Sequence, residues 1–159
     1  MGRGYKPQDE IEKPTPKSEK VNYYGKMKSL NKYRTILQNR HNVRNSIRIM
    51  NRNRNCFKWS SHETDSHINM KFAICKWLKK NKIEFYTEAI FDERSKFFKF
   101  KGFNCPKGLR ADIINADEKI IYEVFQTESH ESLEQKSRNY PFEVRFVYAD
   151  QRFREELLL

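Results

Sequence analysis

The chain is short of almost everything that marks a membrane, secreted or low-complexity protein. Its longest apolar runs fall well below about 18 residues, so no stretch reads as a membrane span. No basic start followed by an apolar core and a small-residue cleavage site is visible, which argues against secretion. Five glycines and five prolines exclude collagen-like and Gly/Pro-rich chains. The three cysteines are odd in number and form no C-x-x-C pair. A reducing, cytoplasmic compartment is the simple expectation. A zinc set of Cys56, His62, His67 and Cys75 can be drawn, but its spacings match no compact ligand pair, so small buried thiols are expected instead.

What is abundant is positive charge. Lys and Arg number 32 against 21 Asp and Glu in 159 residues, a formal net charge of +11. Residues 1–58 hold 15 Lys/Arg and 4 Asp/Glu, whereas residues 59–159 hold 17 of each. The whole excess therefore lies in the first third. The sequence divides into a basic N-terminal extension, 1–58, and a neutral domain, 59–159. A basic arm on a neutral body is the footprint of a polyanion binder. Arg34, Arg40, Arg44, Arg48, Arg52, Arg54 and Lys58 alternate with asparagines, side chains that hydrogen-bond phosphates and base edges. Nucleic acid is the expected partner, DNA ahead of RNA. A membrane surface is not, because the arm has no sizeable Trp/Phe/Leu face.

Periodicity supplies the elements. Residues 1–25 contain three prolines and no apolar period, and are expected to be disordered. Met27, Leu30, Tyr33 and Leu37, then Val43, Ile47 and Met50, suggest one or two short amphipathic helices. Residues 60–81 form the clearest helix, opened by a Ser60/Glu63 capping box and closed by lysines and Asn81. The period then falls to two. Strands are expected over 83–90, 109–116, 119–126 and 143–148, with a tight turn at Asp117-Glu118. Residues 91–108 read as a hairpin or loop whose phenylalanines mostly pack in the core, 129–140 as a helix stopped by Pro141, and 150–158 as a short closing helix. The order helix, strand, strand, strand, helix, strand defines an α/β domain with a mixed sheet.

Two carboxylates stand inside apolar strands, Asp112 in Leu109–Ile114 and Glu123 in Ile120–Phe125. Acids are poor strand formers and costly to bury. Pairing about a turn centred on 117–118 sets them directly opposite. There they repel unless a cation lies between them. A hard divalent ion, Mg²⁺ or Mn²⁺, meets that need. Separate pairing of each acid with a cation such as Arg110 or Lys119 meets it equally. On the preceding helix Glu63, His67, Lys71, Ile74 and Leu78 fall on one stripe. Its polar end either faces such an ion or caps the helix and rims the core.

Asp112, ten residues and Glu123, in this order of elements, resemble the PD-(D/E)xK nuclease superfamily, which includes restriction enzymes and archaeal Holliday-junction resolvases. The resemblance covers about residues 60–150 and implies a restriction-endonuclease-like fold with a mixed sheet flanked by helices. It implies a divalent-metal-dependent endonuclease, structure-directed in the manner of the resolvases, with Asp112 and Glu123 binding Mg²⁺ or Mn²⁺. Glu88 and Glu63 are candidates for a further carboxylate. It also leaves a homodimer open. The family lysine is absent, since Phe125 stands in its place. Lys136, on the following helix with Tyr140 on the same face, is the replacement the sequence offers. Gln126 is the other, although strand alternation points it away from Glu123. Loss of the lysine also admits a catalytically inactive nucleic-acid binder, and an unrelated RNA-binding protein remains the third possibility.

Overall fold

A computed structural model describes the backbone from Lys17 to Leu159 and side chains from Met27 onward. Most of the stretch expected to be disordered, residues 1–16, lies outside the described residues. The chain divides into two units, residues 1–33 and Arg34–Leu159. In the first, residues 17–33 are helical, and Met27, Leu30 and Tyr33 are exposed.

Helix α1 runs over Lys17–Ser46 as one element of 30 residues, not as two short helices. Its frequent asparagines do not break it, because intrinsic propensity is a weak term. Only two residues of the expected apolar series, Val43 and Ile47, are buried; Leu37 and Met50 are exposed. The compact unit therefore starts at Arg34, not at residue 59. Charge marks where lysines and arginines lie, and packing follows the apolar anchors. The Arg40 guanidinium clasps the Asp117 carboxylate at 2.6 and 2.8 Å, which ties α1 to the β-turn.

The body is mixed α/β, a four-stranded mixed sheet with helices. Helix α2 is Asp65–Lys80, β1 Phe85–Ile90, α3 Lys96–Lys101, β2 Arg110–Asn115, β3 Ile120–Phe125, α4 His130–Arg138 and β4 Glu143–Tyr148, with a 3₁₀ turn over Glu155–Leu158. The sheet order is β1-β2-β3-β4. β1/β2 and β2/β3 are antiparallel, while β3 and β4, joined through α4, are parallel. In β2/β3, Ile113 pairs with Tyr122 and Asn115 with Ile120, the register that a hairpin centred on 117–118 requires. The connection is a four-residue turn, not a two-residue one. The Asn115 side chain accepts from the Asp117 and Glu118 amides and holds it.

One sheet face packs on α2 through Met70, Ile74, Leu78, Phe85, Ile113 and Val124. The other packs Tyr86, Ala89, Ile114 and Ile121 with Val43 of α1, Ile47 just after it, Phe98 of α3 and Tyr140. Residues 91–108 are not a plain loop. Ser95 caps α3 by accepting from the Phe97 amide, and Gly102, at φ 65°, closes it in the left-handed conformation. Phe91, Phe97, Phe98 and Phe103 form an aromatic cluster there, whereas Phe100 is exposed. The thiols differ from expectation at one place: Cys75 and Cys105 are buried, but Cys56 is exposed. No helix among the described residues is long and apolar enough to cross a membrane.

Candidate metal centre

The site begins with a fault in the sheet. Tyr86 and Ala89 of β1 join the same core, although they stand an odd three positions apart, so the alternation slips once at Glu88. Glu88 has φ 51°, a left-handed conformation that costs a non-glycine residue about 1 kcal/mol. On β2 the same slip occurs between Ala111 and Ile113, at Asp112, which lies opposite. Backbone pairing skips Glu88 against Asp112 while register is kept on both sides, and the β2/β3 ladder ends at Ile113/Tyr122, next to Glu123. Glu88, Asp112 and Glu123 thus occupy one row across three strands.

Side chains replace the missing ladder bonds. The Val124 amide donates to Asp112 Oδ2 at 2.9 Å, and the Asp112 amide donates to Glu123 Oε1 at 3.0 Å. A carboxylate accepting an N–H is a strong, charge-assisted bond. Each acid therefore closes the backbone of the strand opposite.

Helix α2 brings His67 and Lys71 to this row, and the turn before it brings Glu63. The helix opens at Asp65, not at Ser60, with Thr64 Oγ1 accepting from the His67 amide at 3.3 Å. The Ser60/Glu63 pair builds the turn before it: the Ser60 amide donates to Glu63 Oε2 at 3.1 Å. That leaves Glu63 Oε1 free to aim at α2, where it lies 2.7 Å from Lys71 Nζ and 3.8 Å from His67 Nε2. His67 Nε2 is also 3.3 Å from Asp112 Oδ2. The nitrogen is shielded from solvent and has no hydrogen-bond partner among the described residues. Glu63, His67 and Asp112 each present one ligand atom, all within 4.8 Å of one another. Two carboxylates and an imidazole fit a divalent ion, which would lie where Nε2 faces Asp112 Oδ2 and Glu63 Oε1.

Each remaining acid in the row has a resident cation. Lys71, fully buried, ion-pairs with Glu88 as well as Glu63, and Arg110 Nε is 3.3 Å from the other Glu88 oxygen. Glu123 Oε2 is 2.6 Å from Lys136 Nζ, and Glu123 Oε1 accepts from the Tyr140 hydroxyl at 2.9 Å. That hydroxyl also lies 2.6 Å from the Arg110 carbonyl. Titration follows these pairings. Burial, then the nearby Asp112 charge, raises Glu123 to about 7 against the opposing effect of Lys136. Burial raises Glu88 too, although Lys71 resists it. Burial works to raise Asp112 but loses to His67, Lys71 and the Val124 amide, so its carboxyl is held below the usual range. Burial works to lower His67 and loses to Asp112 and Glu63, so the imidazole is raised.

A cleft of about 450 Å³ opens onto this centre, lined among others by Glu63, His67, Asp112, Arg110, Gln126 and Lys136. Gln126 lies at the cleft, where it accepts from Thr64 Oγ1 at 3.0 Å and donates to Asp150. Phe125 packs against the Phe146 and Tyr148 rings and brings no charge to the centre. Sequence reading weighed Arg110 only as a counter-ion; its place two residues before Asp112 was the signal that it joins the site. Glu128, 3.9 Å from Lys136, had no signal.

The basic residues of α1 and its continuation are divided in role. Arg40 binds Asp117, Arg48 binds Glu93 at 3.1 Å, Arg54 lies 3.6 Å from Glu84, and Arg52 donates to the Ile47 carbonyl. The Lys58 amide donates to Thr87. Arg34 and Arg44 are exposed.

No protein-family model, curated protein or solved structure matches this chain. What the fold and the centre define is a mixed α/β domain carrying an acid, histidine and lysine cluster at a break in its sheet.

Proposed function

We propose that the chain is a divalent-metal-dependent nuclease of the PD-(D/E)xK type that hydrolyses phosphodiester bonds. The observation that carries this reading is the single row of Glu88, Asp112 and Glu123, with Asp112 and Lys136 lining one cleft and Lys136 Nζ 2.6 Å from the buried Glu123. A restriction-endonuclease-like core, strands bearing two acids and a helix returning a lysine to them, is the arrangement this reading requires.

Glu63, His67 and Asp112 are the residues that would hold the ion, Mg²⁺ or Mn²⁺. The imidazole favours Mn²⁺, since magnesium prefers oxygen ligands. A bound ion supplies Lewis-acid stabilisation of phosphate charge and a water of lowered pKa. The chain's own residues do the rest. Lys136 sets a positive charge at the cleft, where it balances negative charge developing on the phosphate and orients the attacking water. Glu123, held by Lys136 and Tyr140, keeps that ammonium in place. Arg110, half exposed at the mouth, offers a planar donor pair to the phosphate backbone. Exposed Arg34 and Arg44 extend the contact along the nucleic acid, DNA ahead of RNA.

The test is cleavage of duplex, single-stranded and branched DNA and of structured RNA, with Mn²⁺, Mg²⁺ or EDTA. Cleavage that needs the ion and disappears in Asp112→Asn is the expected result. Ion-independent cleavage, or cleavage surviving Asp112→Asn, rejects the reading. Binding without cleavage in any ion would make the chain a nucleic-acid-binding protein on a nuclease fold.

A further inference from the structure

Lys71 is the only buried lysine among the described residues, and its side chain is wholly shielded. It occupies a position on α2 that the apolar stripe through Ile74 and Leu78 would fill with a leucine or methionine. Removing an ammonium from water costs several kcal/mol, so its place in the core needs compensation. Glu63 and Glu88 provide it through direct ion pairs, and both raise the ammonium against the lowering effect of burial. With no exposed surface, Lys71 has no access to a substrate in the cleft.

Its environment resembles that of a metal ion. It stands where acids from three segments converge: Glu63 before α2, Glu88 on β1 and Asp112 on β2, whose charge also reaches it. It shares an oxygen with the neighbouring ligand set, because Glu63 Oε1 faces both Lys71 Nζ, at 2.7 Å, and His67 Nε2, at 3.8 Å.

We propose that the Lys71 ammonium takes the place of a second cation, so that the centre accepts one divalent ion, on Glu63, His67 and Asp112, and not a pair. The inference rests on the metal-centre reading above and deepens it. Charge agrees with it. Glu63, Glu88, Asp112, Glu123 and Glu128 face Lys71, Lys136 and Arg110, a set with two negative charges in excess, which one divalent ion balances. A second divalent ion would leave an uncompensated excess within a few ångströms, in surroundings where charges are weakly screened.

Manganese binding to the full-length chain tests this, with free ion counted by electron paramagnetic resonance and bound ion by elemental analysis. The wild-type chain is expected to bind one Mn²⁺ with no exchange-coupled pair signal. Lys71→Met is expected to bind two and to show that signal; Lys71→Arg, which keeps the charge, stays at one. Two ions on the wild type, or one on a folded Lys71→Met, overturns the inference and leaves the metal centre standing. No manganese on the wild type removes the metal centre itself, and the inference with it. Should Lys71→Met not fold, the wild-type count and the Lys71→Arg count decide.

Discussion

The Lys136 ammonium on α4 lies 2.6 Å from Glu123 Oε2 on β3, although the two stand 13 positions apart in the chain. The lysine of the resembling family would sit two residues after Glu123, where this chain has Phe125. A positive charge reaches the same carboxylate from the following helix.

Replacing Lys136 therefore separates charge from fold. Lys136→Met is expected to lower single-turnover cleavage by about 100-fold or more, the scale of losing one preorganised electrostatic contact. Its melting temperature should fall only modestly, because the buried Glu123, raised to about 7, takes up a proton when its cation is lost. Cleavage within a few-fold of wild type would remove Lys136 from the reaction.

Glu123 makes stability depend on pH in the metal-free chain. Its carboxyl is raised from 4.5 to about 7, so the folded state holds a proton that the unfolded state has released. Stability is then greatest below the unfolded value and is lost as pH rises through 7. The loss is roughly 3 kcal/mol at most over that window. Urea unfolding in EDTA at pH 5 and pH 8 measures it. Glu123→Gln should flatten the slope between those values; an unchanged slope would show that other groups set it.

Tyr140 joins the two halves of the centre, bonding Glu123 and the Arg110 carbonyl through one hydroxyl. Tyr140→Phe removes the one hydroxyl hydrogen that a part-buried carbonyl and a buried carboxylate oxygen share. A loss of about 1–3 kcal/mol in chemical denaturation is expected. A change below about 0.5 kcal/mol would mean that solvent replaces the hydroxyl.

The arginines divide into two groups by experiment. Arg40→Ala removes the clasp on Asp117 and should destabilise the fold by about 1–2 kcal/mol. Arg34→Ala with Arg44→Ala should leave melting unchanged, weaken nucleic-acid binding and reduce its salt slope by about two. An unchanged slope in the double variant would place the phosphate contacts elsewhere.

Thiol labelling checks the packing directly. Burial pushes Cys75 up to about 12 and Cys105 up to about 11, so both are protonated at neutral pH. Cys56 is exposed. One fast-reacting thiol per native chain is expected, rising to three on denaturation. Three fast thiols in the native protein would contradict the described core.

Much of this was legible in the residues, for reasons that stop at identifiable points. The hairpin register followed from local pairing about Asp117-Glu118, and the strand at 143–148 from its alternating pattern. Local rules failed where distant partners decide. Ser60 and Glu63 satisfy the capping pattern and bond as it requires, but they build the turn before the helix, which opens at Asp65 behind a Thr64 cap. Four arginines of the basic run appeared to be phosphate ligands, yet Arg40, Arg48, Arg52 and Arg54 find partners within the body, two of them on acids more than 40 residues away. Lys71 shares a stripe with Ile74 and Leu78, which sets it toward the core, but its full burial depends on Glu88, a partner 17 positions away on β1. The left-handed turn at Glu88 has no sequence signature at all.

Asp112 and Glu123 each close a backbone bond on the neighbouring strand, Asp112 from the cleft wall and Glu123 from the buried interior beside it. A descendant of this chain that no longer needed chemistry would still need both acids to keep its sheet joined. Persistence of this pair among future relatives would therefore report on architecture as much as on activity. Drift at His67, which holds no strand together, would be the cleaner record of lost function.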